Sequence, residues 1–124
     1  MKQLFIDRGD DTLEVKLKKE DGLISFTGKS YPEDIEKFFV PILDWIEEYM
    51  ADPHDSTKVV FDLEYFNTAT SRKFLEILIE LEKLPESGKD VVVQWLYNQE
   101  DEDIYSAGKK CSVLSRLPFE IQQV

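Results

Sequence analysis

The sequence predicts an α/β fold in which a small mixed β-sheet, an N-terminal hairpin plus parallel strands, packs with about three helices. Three observations carry that reading. Leu13, Val15 and Leu17 alternate with Glu14, Lys16 and Lys18, the period of a half-buried strand. Ile35, Phe38, Phe39, Ile42, Ile46, Tyr49 and Met50 recur at the spacing of one helical face. The middle of the chain then reads strand, helix, strand, an order that implies a right-handed parallel crossover.

Each element has its own punctuation. Glu20-Asp21-Gly22 supplies a turn, and residues 23–27 read as the returning strand of the hairpin. Gly28 to Pro32 breaks the pattern before the first helix. Pro41 lies inside that helix and is expected to kink it or divide it. Residues 51–57, with Pro53 and Asp55, read as a loop. Residues 59–65 are apolar on both sides at their start, as in a central strand. The second helix carries Phe74, Ile77, Leu78, Leu81 and Leu84 on one face, and Pro85 and Gly88 close it. Residues 91–97 form another buried strand. The acidic run from Glu100 to Asp103 opens a third, weaker helix reaching about Cys111, and Phe119-Glu120-Ile121 reads as a short edge strand.

Composition narrows the function. The 124 residues fit one domain, and 42% hydrophobic content is enough for a core. Acidic residues outnumber basic ones 26 to 15, for a formal charge of -11. Such a surface repels phosphate backbones and anionic headgroups, which disfavours nucleic acid and membrane as partners. Cys111 is the single cysteine, so no internal disulfide forms and a reducing compartment is indicated. The run Leu4-Phe5-Ile6 ends at Asp7 and does not resemble a signal peptide. A cytoplasmic protein is expected.

Catalytic equipment is sparse. His54, the only histidine, sits in a Pro-Asp loop beside no nucleophile motif. Cys111 reads as a packing residue with a free thiol. There is no Gly-rich phosphate loop and no Cys/His zinc spacing. The run from Glu100 to Asp103 suits the start of a helix better than a metal, because neighbouring carboxylates on a helix fan apart. No cofactor or metal is expected. The informative stretch is Glu64-Tyr65-Phe66-Asn67-Thr68-Ala69-Thr70-Ser71, where a buried strand leaves the sheet and the second helix begins. Functional groups gather at that end of strands in open α/β sheets. Asn67 or Thr68 as a helix cap accounts for part of it. A phosphate on Thr68, Thr70 or Ser71 would also face free backbone N–H groups and the positive end of the helix dipole.

Ser30-Tyr31-Pro32-Glu33, Leu43-Asp44-Trp45-Ile46-Glu47, Tyr65-Phe66-Asn67-Thr68, Trp95-Leu96-Tyr97, Asp101-Glu102-Asp103 and Leu117-Pro118-Phe119 resemble, in order and over nearly the whole chain, the SiaC family of bacterial regulatory phosphoproteins. The resemblance implies a fold similar to STAS-domain anti-sigma-factor antagonists. It implies that the threonine after the asparagine is phosphorylated by a cognate kinase and that a PP2C-type phosphatase removes the phosphate. It implies too that the unmodified protein binds and activates an effector, such as a diguanylate cyclase. Thr68 is the matching position. The sequence departs from the family just after it, at Ala69, and Thr70 and Ser71 remain rival acceptors. The expected function is therefore a phosphorylation-switched partner-binding module, with Asn67 shaping the turn. Leu75 and Ile79 form a shoulder on the second helix, either buried with the rest of its apolar arc or exposed for partner contact. A carrier of a lipid or other apolar ligand, or a small enzyme, are the alternatives.

Overall fold

The computed structural model describes residues 3–124. Strand β1 (Leu4–Ile6) pairs antiparallel with β2 (Glu14–Lys18), which pairs antiparallel with β3 (Leu23–Ser30). Helix α1 (Ile35–Ala51) crosses to β4 (Ser56–Phe66), and α2 (Thr68–Leu81) with the short α3 (Lys83–Glu86) crosses to β5 (Asp90–Tyr97). Helix α4 (Glu102–Leu114) crosses to β6 (Phe119–Gln123). The six strands lie in one sheet in sequence order, and the pairs from β3 to β6 are parallel.

That order decides where the core sits. Successive parallel strands joined by crossovers of one hand carry all their helices on one face of the sheet. Burial follows accordingly: Val59, Phe61 and Leu63 are buried in β4 while Lys58 and Asp62 are exposed. In β5, Val91, Val93 and Trp95 are buried, whereas Val92, Gln94 and Leu96 are half-buried. The reading of these strands as buried on both sides is thus corrected. Val60 and Val92 are apolar but lie on the open face, partly sheltered by their neighbours. The covered face holds an aromatic cluster, with Phe61 4.9 Å from Phe74 and 5.1 Å from Trp95 between ring centroids. Burying each such side chain contributes roughly 1.5–3 kcal/mol.

Several boundaries also differ from expectation. Leu4-Phe5-Ile6 forms an edge strand that three residues were too few to announce by alternation. Gly28 does not end β3, which continues to Ser30. Helix α1 is not divided at Pro41, which is exposed; the carbonyl its missing N–H leaves free belongs to exposed Lys37, on the solvent side of the helix. The loop before β4 is shorter than expected because Thr57 already belongs to the strand. Its hydroxyl is buried 2.6 Å from the Tyr49 hydroxyl, a partner supplied by α1. Leu84 is buried, but in α3 rather than at the end of the second helix. Helix α4 runs past Cys111 to Leu114.

Helix α4 is fixed by close approach to β5. The Trp95 indole Nε1 donates to the Ile104 carbonyl at 2.9 Å in a buried bond. Gly108, one turn on, leaves room for the indole ring, and a Cβ there would collide with it. Gly108→Ala is expected to lower stability by about 1–3 kcal/mol through overpacking, outweighing the gain in helix propensity. Denaturant unfolding checks this; a neutral or stabilising effect would mean that α4 is free to shift.

Candidate functional site

The site is built where β4 leaves the sheet. Between β3 and β4 the register passes from Gly28↔Leu63 to Lys29↔Tyr65, so Glu64 is the extra residue of a β-bulge. The bulge reverses the alternation: Leu63 is buried, Tyr65 is exposed, and Phe66 turns inward to lie 5.6 Å from Phe74 and 6.0 Å from Trp95. Opposite the bulge, Gly28 has φ +110°, and a Cβ there would sit 2.8 Å from Arg8 Nε. Arg8 pairs with Glu64 at 2.8 Å, and its guanidinium holds the Glu64 carboxyl below the ordinary value. Glycine at 28 and arginine at 8 thus go together with the bulge.

The strand end is then tied to α2 by side-chain hydrogen bonds. Asn67 is the N-cap, with extended backbone and its Oδ1 accepting from the Thr70 N–H at 2.9 Å. Thr70 Oγ1 lies 2.8 Å from Asn67 Oδ1 and 2.8 Å from Ser30 Oγ. Asn67 in turn donates its N–H to the Ser30 carbonyl at 3.1 Å. Ser30 and Thr70 are fully buried, and each finds its partner in the other. Three residues from β3, the turn and α2 therefore close one network, and it sets the first turn of the helix.

That network sorts the three hydroxyls. Thr70 is enclosed. Ser71 is half-buried. Thr68, the first residue of α2, is exposed. Thr68 and Ser71 line a cleft of about 470 Å³ between the β4–α2 junction and α4, whose far wall carries Asp101, Asp103, Ile104 and Ala107. A neighbouring open cleft of about 690 Å³ shares Glu64, Asp101 and Asp103, and adds Asp62, Glu100 and Glu102. Asp101 is itself committed as the N-cap of α4, accepting from the Ile104 N–H at 3.0 Å, as the acidic run suggested. Tyr31 and Tyr65, both exposed, meet edge to face at 5.5 Å at the ends of β3 and β4.

Of the shoulder residues, Leu75 is partly buried against the core and Ile79 is 60% exposed. They lie about 10 Å and 16 Å from Thr68 along the helix axis at 1.5 Å per residue, so Ile79 does not border the cleft. His54 sits before β4, at the end of the parallel strands away from Thr68, with its Nδ1 3.1 Å from the Ser56 N–H. Cys111 is buried, and burial raises its thiol above the ordinary value. No group of three His, Cys, Asp or Glu side chains is placed to hold a metal among the described residues. The arrangement offers an exposed hydroxyl at a helix start, facing a cleft with carboxylates on its far wall. The bulge, Arg8, the contact of Ser30 with Thr70, that of Tyr31 with Tyr65, and the place of α4 as a wall of the cleft were missed from sequence. Gly28 inside a strand pattern was the available signal for the bulge.

Thr70→Val, which keeps shape but removes the hydroxyl, is expected to cost about 1–3 kcal/mol because Ser30 Oγ is left buried with its partner gone. Combining it with Ser30→Ala should cost less than the sum of the two single changes, since both delete one network. A strictly additive double-mutant cycle would show that the two hydroxyls are not coupled.

Known proteins share this fold. The family model for the SiaC family regulatory phosphoprotein matches residues 6–124. An uncharacterized protein of Pseudomonas aeruginosa (strain UCBPP-PA14) is 28% identical over 122 residues, 98% of this chain and 97% of that one. Among solved structures, apo-SiaC from Pseudomonas aeruginosa superposes with a TM-score of 0.90 at 27% identity, covering 98% of this chain and 99% of the other. The diguanylate cyclase SiaD in complex with its activator SiaC, from the same species, contains a chain that superposes at 0.91 with 27% identity and the same coverage. With the model matched over nearly its whole length and the fold reproduced, this chain belongs to the SiaC family of regulatory phosphoproteins.

Proposed function

We propose that this protein is a phosphorylation-switched activator: unmodified, it binds and activates a diguanylate cyclase, and phosphorylation of Thr68 releases that partner. A cognate kinase adds the phosphate and a PP2C-type phosphatase removes it. The observation that carries the reading is the sorting of hydroxyls. Thr68 is exposed at the mouth of a cleft, while Thr70 is fully buried and hydrogen-bonded in the network that caps the helix. A kinase needs an accessible hydroxyl, and Thr68 offers it without unfolding α2. Ser71, half-buried on the same cleft, is the remaining rival. The SiaC–SiaD complex supplies the partner class.

A phosphate at Thr68 adds about 1.5–2 negative charges opposite Asp101 and Asp103. It would fill the cleft with a hydrated group that a docked side chain would have to displace. Exposed Ile79 suits the outer margin of the partner contact, with Leu75 largely a packing residue. The carrier reading finds no support in the open cleft of about 690 Å³, whose walls are mostly carboxylates. No helix among the described residues is long and apolar enough to cross a membrane. Free, buried Cys111 suits a cytoplasmic setting.

Site mapping by mass spectrometry after reaction with the cognate kinase should find phosphate on Thr68; exclusive modification of Ser71 would overturn the assignment. Thr68→Ala should fold with nearly wild-type stability, because Asn67 and not Thr68 is the cap, and should retain the cyclase in the presence of kinase. In a binding titration, phosphorylated wild-type protein should bind the cyclase much more weakly than the unmodified form. Equal affinities would refute the switch.

A further inference from the structure

The end of α4 departs in character from the rest of the molecule. Residues 104–119 contain no Asp or Glu, the longest such run in a chain with 26 acidic residues, and they carry Lys109, Lys110 and Arg116. Val113 is 83% exposed and Leu114 66% exposed, the two most solvent-facing large apolar residues inside any helix. With Lys109 and Lys110 they border an open depression of about 460 Å³. Neither lysine forms an ion pair among the described residues; Lys109 only lies 5.9 Å from the Tyr105 ring. A protein of net charge -11 thus presents unpaired cations around bare aliphatic side chains at one place.

Folding does not account for this patch. Ile104, Gly108 and Cys111 are the α4 residues that face the core, and the helix is anchored there. Val113 and Leu114 stay largely in solvent, and aliphatic side chains left exposed forgo the stabilisation that burial would give. The patch is continuous with the Thr68 cleft. Ala107 lines that cleft, and Lys110 and Leu114 follow it at three and seven residues, on the same side of the helix.

Charge identifies the occupant. Helix α4 is acidic at its start, with Asp101, Glu102 and Asp103, and carries Lys109 and Lys110 in its second half, one turn before its end. Helices customarily carry acids in the first turn and bases in the last, to complement their dipoles. A second helix of that polarity laid antiparallel would set its acids against Lys109 and Lys110 and its bases against Glu102 and Asp103. We propose that the C-terminal half of α4 is a docking surface for an effector-protein helix whose first turns are acidic and apolar, with Val113 and Leu114 as the hydrophobic anchors. The inference rests on the reading that the chain binds an effector cyclase, and it places part of that interface outside the Thr68 cleft.

The test titrates purified effector cyclase with wild-type protein, Lys109→Glu/Lys110→Glu and Leu114→Ser, at low and physiological salt, with circular dichroism and the thermal midpoint as controls. Both variants should weaken binding by about tenfold or more, and the loss caused by the charge reversal should shrink at higher salt. Should the charge reversal disturb folding, Lys109→Gln/Lys110→Gln supplies the same comparison. Folded variants with wild-type affinity overturn this inference alone. A wild-type protein that fails to bind the cyclase overturns the effector reading and this inference with it. Sedimentation showing self-association abolished by Leu114→Ser, or vesicles of phosphatidylserine bound only by wild type, with cyclase affinity unchanged, would assign the patch to another occupant and overturn it too.

Discussion

The junction between β4 and α2 rests on one buried hydrogen-bond network, in which Asn67 and Thr70 from the helix start close onto Ser30 at the end of β3. Two hydroxyls buried without partners would cost about 1–3 kcal/mol apiece. Joined to each other and to the Asn67 side chain, they make one helix start geometry much better than its neighbours. Because Thr70 is the residue that turns inward, Thr68, two positions earlier on the helix, turns outward. The exposure of the Thr68 hydroxyl is therefore a consequence of how its neighbour is buried.

The bulge at Glu64 works in the same direction. Without it, strict alternation would carry the inward face of β4 through Leu63 to Tyr65 and turn Phe66 outward. With it, Phe66 seals the aromatic cluster from above, and Tyr65 joins Tyr31 on the rim. The one-sided helix layer then brings α4 beside α2, so the Thr68 cleft has a second wall supplied by a different crossover. Helix α4 can approach that closely only because Gly108 carries no side chain against Trp95. Sheet order, bulge and glycine together shape the cleft, although none of them touches Thr68.

Much of this was legible in the sequence where periodicity is strong. The hairpin, α1, the parallel pair β4–β5 and the cap at the start of α4 follow from patterns of period two, period 3.6 and N-cap chemistry. Asn67-Thr68 was marked by its place between a strand and a helix, and by family likeness. Other features were hidden because they depend on contacts between distant residues. Thr57 looks like a loop residue until Tyr49 provides a buried partner. Val60 and Val92 look like core until the single-hand crossovers leave one face of the sheet open. Thr68, Thr70 and Ser71 are alike in a list of hydroxyls, and only Ser30, forty residues from Thr70, distinguishes them.

The central claim is that an effector docks at the Thr68 cleft, and amide hydrogen exchange tests it most directly. Exchange would be followed with and without the cyclase, on unmodified and on phosphorylated protein. The account expects cyclase to protect the segments 64–71 and 101–107 in the unmodified protein, and expects that protection to vanish after phosphorylation. Protection confined to the open face of the sheet, in β2 and β3, and unaffected by phosphate, would contradict it.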